Sequence, residues 1–171
     1  MASMIRWKRL SGFQIVMLGL GMLQWCPALA QSDPPALSIG GKPWAKVVGT
    51  ALSELPIKLV DNSNCVGNFE KAAPLKSPSP GGPHWQTSGW AWDRAAKAVP
   101  KYVLMVRDGY IVGYGVPKVE RRDVQRARSE VLDSLNGWVG YASAPTGSKV
   151  FAYTWSETKG TACPIGAMTM Q

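Results

Sequence analysis

One histidine, His84, is all that this chain of 171 residues contains. A nucleophilic triad built on imidazole would have to use it, yet it stands in a Pro-Gly stretch without a GxSxG or comparable nucleophile context. Cysteine is scarce as well, with three in all and no CxxC pair, so a zinc site and a thioredoxin-like redox motif both lack their ligands. There is no run of Lys and Arg, which argues against a nucleic-acid partner. No apolar run approaches the roughly 20 residues of a spanning helix. Gly113-Tyr114-Gly115 lies within a strand pattern and lacks the helix that a phosphate-cradling loop opens into. A paired-carboxylate hydrolase could draw on Asp93, Glu120, Asp123 or Glu130, but the separation that decides such chemistry is not written in the sequence. No catalytic residue, cofactor or metal is expected, and the chain reads as non-enzymatic.

What is present begins with a targeting pattern. Arg6, Lys8 and Arg9 precede an apolar stretch of about ten residues, Gln14 to Leu23, and Ala28-Leu29-Ala30 follows. A basic leader, a short apolar core and small residues at −3 and −1 describe a secretory signal over 1–30, cut after Ala30. The alternative is an uncleaved N-terminal anchor. Cys26 follows Trp25, where a lipoprotein signal needs a small residue, so lipidation is not expected. Taking the three leader cations from the 19 basic residues leaves 16 against 11 acidic ones, a net charge of +5. The expected location is the periplasm or the exterior of a bacterial cell.

Cys65 and Cys163 remain after cleavage, and in an oxidising compartment an even pair reads as a disulfide. Hydrophobic residues make up 46% and charged residues 18%, so the chain can bury a core. Residues 31–56, rich in Pro, Gly and small side chains, are expected as a poorly ordered lead-in, and 57–171 as the folded domain. Short β-type runs fall at 57–60, 65–73, 85–93, 102–107, 110–116, 138–142, 149–155 and 162–165. Pro74 to Pro83 must be a loop, because proline cannot donate to a ladder. Asp108-Gly109 between apolar runs signals a two-residue hairpin. Val124, Ala127, Val131 and Leu135 recur at helical spacing, so one helix is expected over 123–135, capped by Asp123 and ended at Asn136-Gly137. The fold class is mainly β: an antiparallel β-sandwich or small barrel of about eight short strands with one helix.

Several short motifs then occur in a familiar order. They are Cys65-Val66-Gly67-Asn68-Phe69-Glu70, Gly89-Trp90-Ala91-Trp92-Asp93, Pro100, Asp108-Gly109 with Val112-Gly113, Arg121-Arg122-Asp123-Val124, and Asn136-Gly137-Trp138-Val139-Gly140-Tyr141. The pattern resembles the β-sandwich module at the C-termini of bacterial polytopic membrane proteins and surface-polysaccharide glycosyltransferases. It departs from that pattern at Arg122, where proline is common, and these 171 residues hold neither a transferase domain nor multiple spans. The resemblance implies an accessory envelope module that binds or orients glycans, and it brings no catalytic residues.

Eight tryptophans raise the question of a sugar-stacking platform. Trp90 and Trp92 are two apart on one strand and so share a face, either as a platform or as core, with core taken first. Trp138 is likewise expected to be structural. His84 and Trp85 border the proline-rich loop and Trp155 ends a late strand, so these are the candidates for an exposed glycan site, with Arg121 as a polar partner for an acidic group. The competing reading has Asp123 cap the helix while Arg121 pairs with a sheet carboxylate such as Asp93. The expected function is carbohydrate binding by a non-enzymatic module of the cell envelope. The alternative is a structural or protein-interaction domain of an envelope complex, with a small glycan-active hydrolase behind both.

Overall fold

The computed structural model describes residues 38–39, 42–43, 46–78, 81–156 and 159–171. The expected signal over 1–30 lies outside the described residues. A two-residue antiparallel pair, β1 (Ser38–Ile39) and β2 (Lys42–Pro43), precedes a sheet built from β3 (Lys58–Leu59), β4 (Cys65–Pro74), β5 (Trp85–Asp93), β6 (Tyr102–Arg107), β7 (Tyr110–Val119), β8 (Gly137–Ala142), β9 (Lys149–Ser156) and β10 (Thr161–Thr169). These eight strands form one sheet in the order β3-β10-β9-β6-β7-β8-β5-β4, curled into a half-barrel. The second, stacked sheet of a sandwich is not seen among the described residues.

The Asp108-Gly109 turn forms as expected. Arg107 pairs with Tyr110 across it, and both central residues take positive φ, 51° and 81°, as a type I′ turn requires. Aspartate tolerates that region and glycine enters it freely, so local chemistry sets this register.

Parity sets the relative direction of the strands that meet across the curl. From β10 to β4 there are seven strands, each antiparallel to its neighbour, so the first and last run the same way. Among the described residues no ladder joins β4 to β10; they meet through side chains and a covalent bond instead. Cys65 and Cys163 form a disulfide with Cα atoms 6.2 Å apart. Gly67 permits the approach, since a Cβ there would lie 2.9 Å from the Ile165 Cβ. In the loop-entropy account, closing a loop of 98 residues stabilises the fold by about 4 to 5 kcal/mol. β3 pairs in parallel with the start of β10, through Lys58 with Thr161 and Leu59 with Ala162, so the chain entering β4 follows that same edge.

Inside the curl, large side chains are set against glycines. Trp138 lies between Gly89 on β5 and Gly115 on β7, where a Cβ would come within 2.8 and 2.7 Å of the indole. Phe69 meets its edge at 5.4 Å between ring centroids, and Trp85, Met105, Val150 and Met170 complete the filling. The outer face is covered in two separate places. From Lys46 onward, the segment expected as a poorly ordered lead-in is packed: Val47, Leu52 and Leu55 lie on Tyr102, Leu104, Ile111 and Trp155. Gly49 and Leu52 donate backbone bonds to Ile111 (2.7 Å) and Gly109 (2.8 Å), which fixes that cover on the β6–β7 hairpin.

The second cover is helix α1 (Arg122–Ala127) with the chain after it, where Val124 and Val131 bury Trp90 and Trp92. The helix is therefore shorter than the 123–135 expected. Arg128 leaves helical geometry at φ −130°, and Gln125 reaches across the returning chain to the Leu132 carbonyl at 2.8 Å. A continuous helix would set Val131 about 10 Å beyond Val124. Turning back lets both valines lie on the same indole pair and leaves Leu135 about half exposed.

Candidate interaction surface

Burial removes most of the expected sugar site. Trp85 is 4% exposed, faces the interior of the curl and donates its Nε1–H to the Ala144 carbonyl at 2.7 Å. Trp155 is also 4% exposed, stacked on Tyr102 at 5.6 Å beneath the 46–57 cover. Both were expected at the surface; alternation turns Trp85 into the curl, and Trp155 lies under Val47, Leu52 and Leu55, a segment distant in sequence. Trp90, Trp92 and Trp138 are buried, as the core reading has them. None of these five indoles offers an open face for stacking.

Arg121 is occupied. Its guanidinium holds Glu70 of β4 at 2.6 Å and Asp123 at 2.8 Å, and these partners raise its already high pKa. Arg121 thus pairs with a sheet carboxylate, as the competing reading has it, but with Glu70 in place of Asp93, which sits at the far end of β5 and accepts the Ala96 amide at 2.8 Å. Asp123 does not cap the helix: it lies in the first turn, and the cap position, Arg121, makes no side-chain cap bond. Hydrogen bonds from Arg121, first among the causes, hold the Asp123 carboxyl down at about 2. Glu120 pairs with Arg122 at 2.7 Å and Glu130 with Arg94 at 3.2 Å, and the Glu130 carboxyl is lowered by its own backbone amide and by Arg94. Every carboxylate considered for acid–base work is thus engaged in an ion pair or a turn. His84, Trp85, Trp155 and Arg121 do not converge; β6, β7 and β8 separate the strands of Trp155 and Trp85.

The outer face has an open strip between its two covers. Register places Tyr114, Tyr141, Gln86 and Ala73 in one row across β7, β8, β5 and β4, and Val116, Val139, Ser88 and Lys71 in the next. Facing residues of paired strands share a side, so both rows look outward. Tyr141 is 42% and Val139 36% exposed, while burial raises the pKa of the neighbouring Tyr114. His84, exposed and immediately before β5, falls on the side of Gln86 by alternation. The sequence signal was present: in GWVGYA, Trp138, Gly140 and Ala142 point inward, which turns Val139 and Tyr141 out.

At the α1 end the strip runs into a cavity of about 300 Å³ lined by Asn68, Trp90, Asp123 and Arg128 among others. The Arg128 guanidinium lies over the Trp90 ring, 5.9 Å from its centroid. A smaller space of about 90 Å³ beside Cys163 is lined by Asn64, Asp93, Thr154 and Lys159. Among the described residues no group of three His, Cys, Asp or Glu could hold a metal ion, and no helix is long and apolar enough to cross a membrane. Comparison with known protein families, with curated proteins and with solved structures finds no match.

Proposed function

We propose that this chain is an exported, non-enzymatic interaction domain of the bacterial cell envelope that docks a partner on the outer face of β5 and β8. The observation that carries the reading is the contrast between five buried indoles and the open strip around Tyr141 and Val139. An aromatic and an aliphatic side chain, side by side on a rigid sheet and flanked by Gln86 and Ser88, form a small apolar centre with a polar rim. Protein interfaces have that composition. A sheet also holds such residues in place, so little entropy is lost on docking.

A second reading, carbohydrate binding, keeps one specific support. Tyr141 exposes part of its ring directly opposite the Gln86 amide, with His84 two residues before Gln86, and a sugar needs an aromatic face beside hydrogen-bonding groups.

Photo-cross-linking in the producing cell separates these. A photoreactive phenylalanine analogue at Tyr141 should give a discrete adduct whose protease digest contains a peptide of this chain joined to a peptide of the partner. The same analogue at Phe151, which is 39% exposed on another part of the outer face, should give none. Equal adducts at both positions, or none at either, defeat the docking reading. An adduct that resists protease and yields to glycosidases moves the function to carbohydrate.

A further inference from the structure

The charges bordering the open strip bear on what the partner must be. Resting on the docking reading above, we infer that the strip binds an acidic, apolar-containing segment of a partner protein, with Lys71 and Arg128 pairing its carboxylates while Tyr141 and Val139 pack its apolar side chains. Lys71 is exposed in the same row as Val139 and Ser88, and no acidic partner holds it among the described residues. Arg128 borders the cavity at the end of the strip, likewise without an ion pair among the described residues, and Trp90 steadies its guanidinium.

The neighbouring acids offset only part of the charge of these two cations. Glu70, next to Lys71, and Asp123, on the cavity wall, are both bound to Arg121. One guanidinium balances only one of these two carboxylates, so Lys71, Arg121 and Arg128 against Glu70 and Asp123 leave the border with a net charge of +1, while Glu130, which also faces Arg128, is paired with Arg94. The carboxylate-binding role that the sequence suggested for Arg121 passes to Arg128, whose planar fork is free to accept a bidentate partner. Val116 and Val139 favour a peptide over a polysaccharide, since branched aliphatic side chains offer nothing to sugar hydroxyls and pack well against Leu, Val or Tyr. Electrostatic matching of this kind speeds encounter and sets specificity, so the association should weaken as salt rises.

The test uses the exported full chain, immobilised, and a phage-displayed library of random 12-residue peptides as the probe. Enriched peptides should combine Asp or Glu with Leu, Val or Tyr. A chosen peptide should bind Lys71→Glu/Arg128→Glu at least tenfold more weakly and lose most of its affinity for Tyr141→Ser, while Tyr141→Ser melts like the parent. Peptides without acidic enrichment, or undiminished binding by the charge-reversed variant, overturn the inference. If such peptides still depend on Tyr141, docking stands and only the acidic chemistry falls. If no peptide depends on Tyr141 or Val139, the docking reading falls too. Polygalacturonate is the control polymer: binding of it through Lys71 and Arg128, with no acidic peptide selected, replaces the protein partner with an acidic polysaccharide.

Discussion

The two faces of this sheet are built on different plans. The inner face is a single continuous packing problem, in which Trp138, Trp85, Phe69 and Met105 fill a curl whose walls are thinned by glycine, and the Cys65–Cys163 bond holds its ends together. The outer face is covered piecemeal, by 46–57 on one side and by α1 with 128–135 on the other. Between the covers it stays open. The inner face has no slack and so carries stability, whereas the outer face can lose a cover locally or gain a partner without disturbing the ladder beneath.

The sharpest way to break that contrast is at Trp138. Replacing it with Ala removes an indole that is 1% exposed from between two glycines, which have no side chains to fill the space. The expected loss is about 3 to 5 kcal/mol, read as a lower denaturant midpoint for the whole domain in one transition. A loss below about 1 kcal/mol would show that the curl can collapse around the void, and the inner face would not be the rigid element.

Leu52→Ala tests the cover. The side chain is 7% exposed and packs on the β6–β7 hairpin, so truncation should cost about 2 kcal/mol, at the low end for a buried leucine because the neighbouring chain can settle inward. The distinguishing readout is hydrogen exchange. Amides of Gly49 and Leu52, bonded to Ile111 and Gly109, should exchange faster while those of β5 and β8 keep their protection. Uniform acceleration across the sheet would mean that the cover and the inner face unfold together, and the division drawn between them would fail.

What could be read in advance follows the same division. Strand positions were legible because alternation and turn residues are local: the expected runs at 65–73, 85–93 and 102–107 lie within or match β4, β5 and β6, and Asp108-Gly109 sets its own hairpin. The covalent pairing of Cys65 with Cys163 was legible from parity of count. What covers each face was not. β6 is buried on both sides from Tyr102 to Val106, and an apolar run of that kind does not say whether a second sheet, a helix or an irregular segment lies on it. Val47, Leu52 and Leu55 were lost among prolines and glycines for that reason. Arg121 shows the same limit at the level of one side chain, since Glu70 lies 51 residues away and reaches it from β4, beside the register shift between Phe69 and Lys71.

The smallest expected effect lies at that cluster, where the outer cover meets the sheet edge. Asp123 titrates at about 2 in the folded chain, against roughly 3.9 for an unperturbed aspartate. A folded-state pKa below the unfolded one adds stability that is fully present above about pH 4 and disappears as pH falls through 2. Because Asp123 is exposed, solvent screens most of this contribution, and it should be smaller than either packing effect. Melting temperatures of the parent and of Asp123→Asn between pH 6 and pH 2 isolate it. The two curves should differ by a small, constant amount near neutrality and converge towards pH 2, and added salt should narrow the gap at pH 6. Arg121 keeps Glu70 in the variant, so the cover should stay docked throughout. Curves that stay parallel down to pH 2 would show that Asp123 contributes nothing through its charge, leaving Glu70 as the acidic residue that ties Arg121 to the sheet.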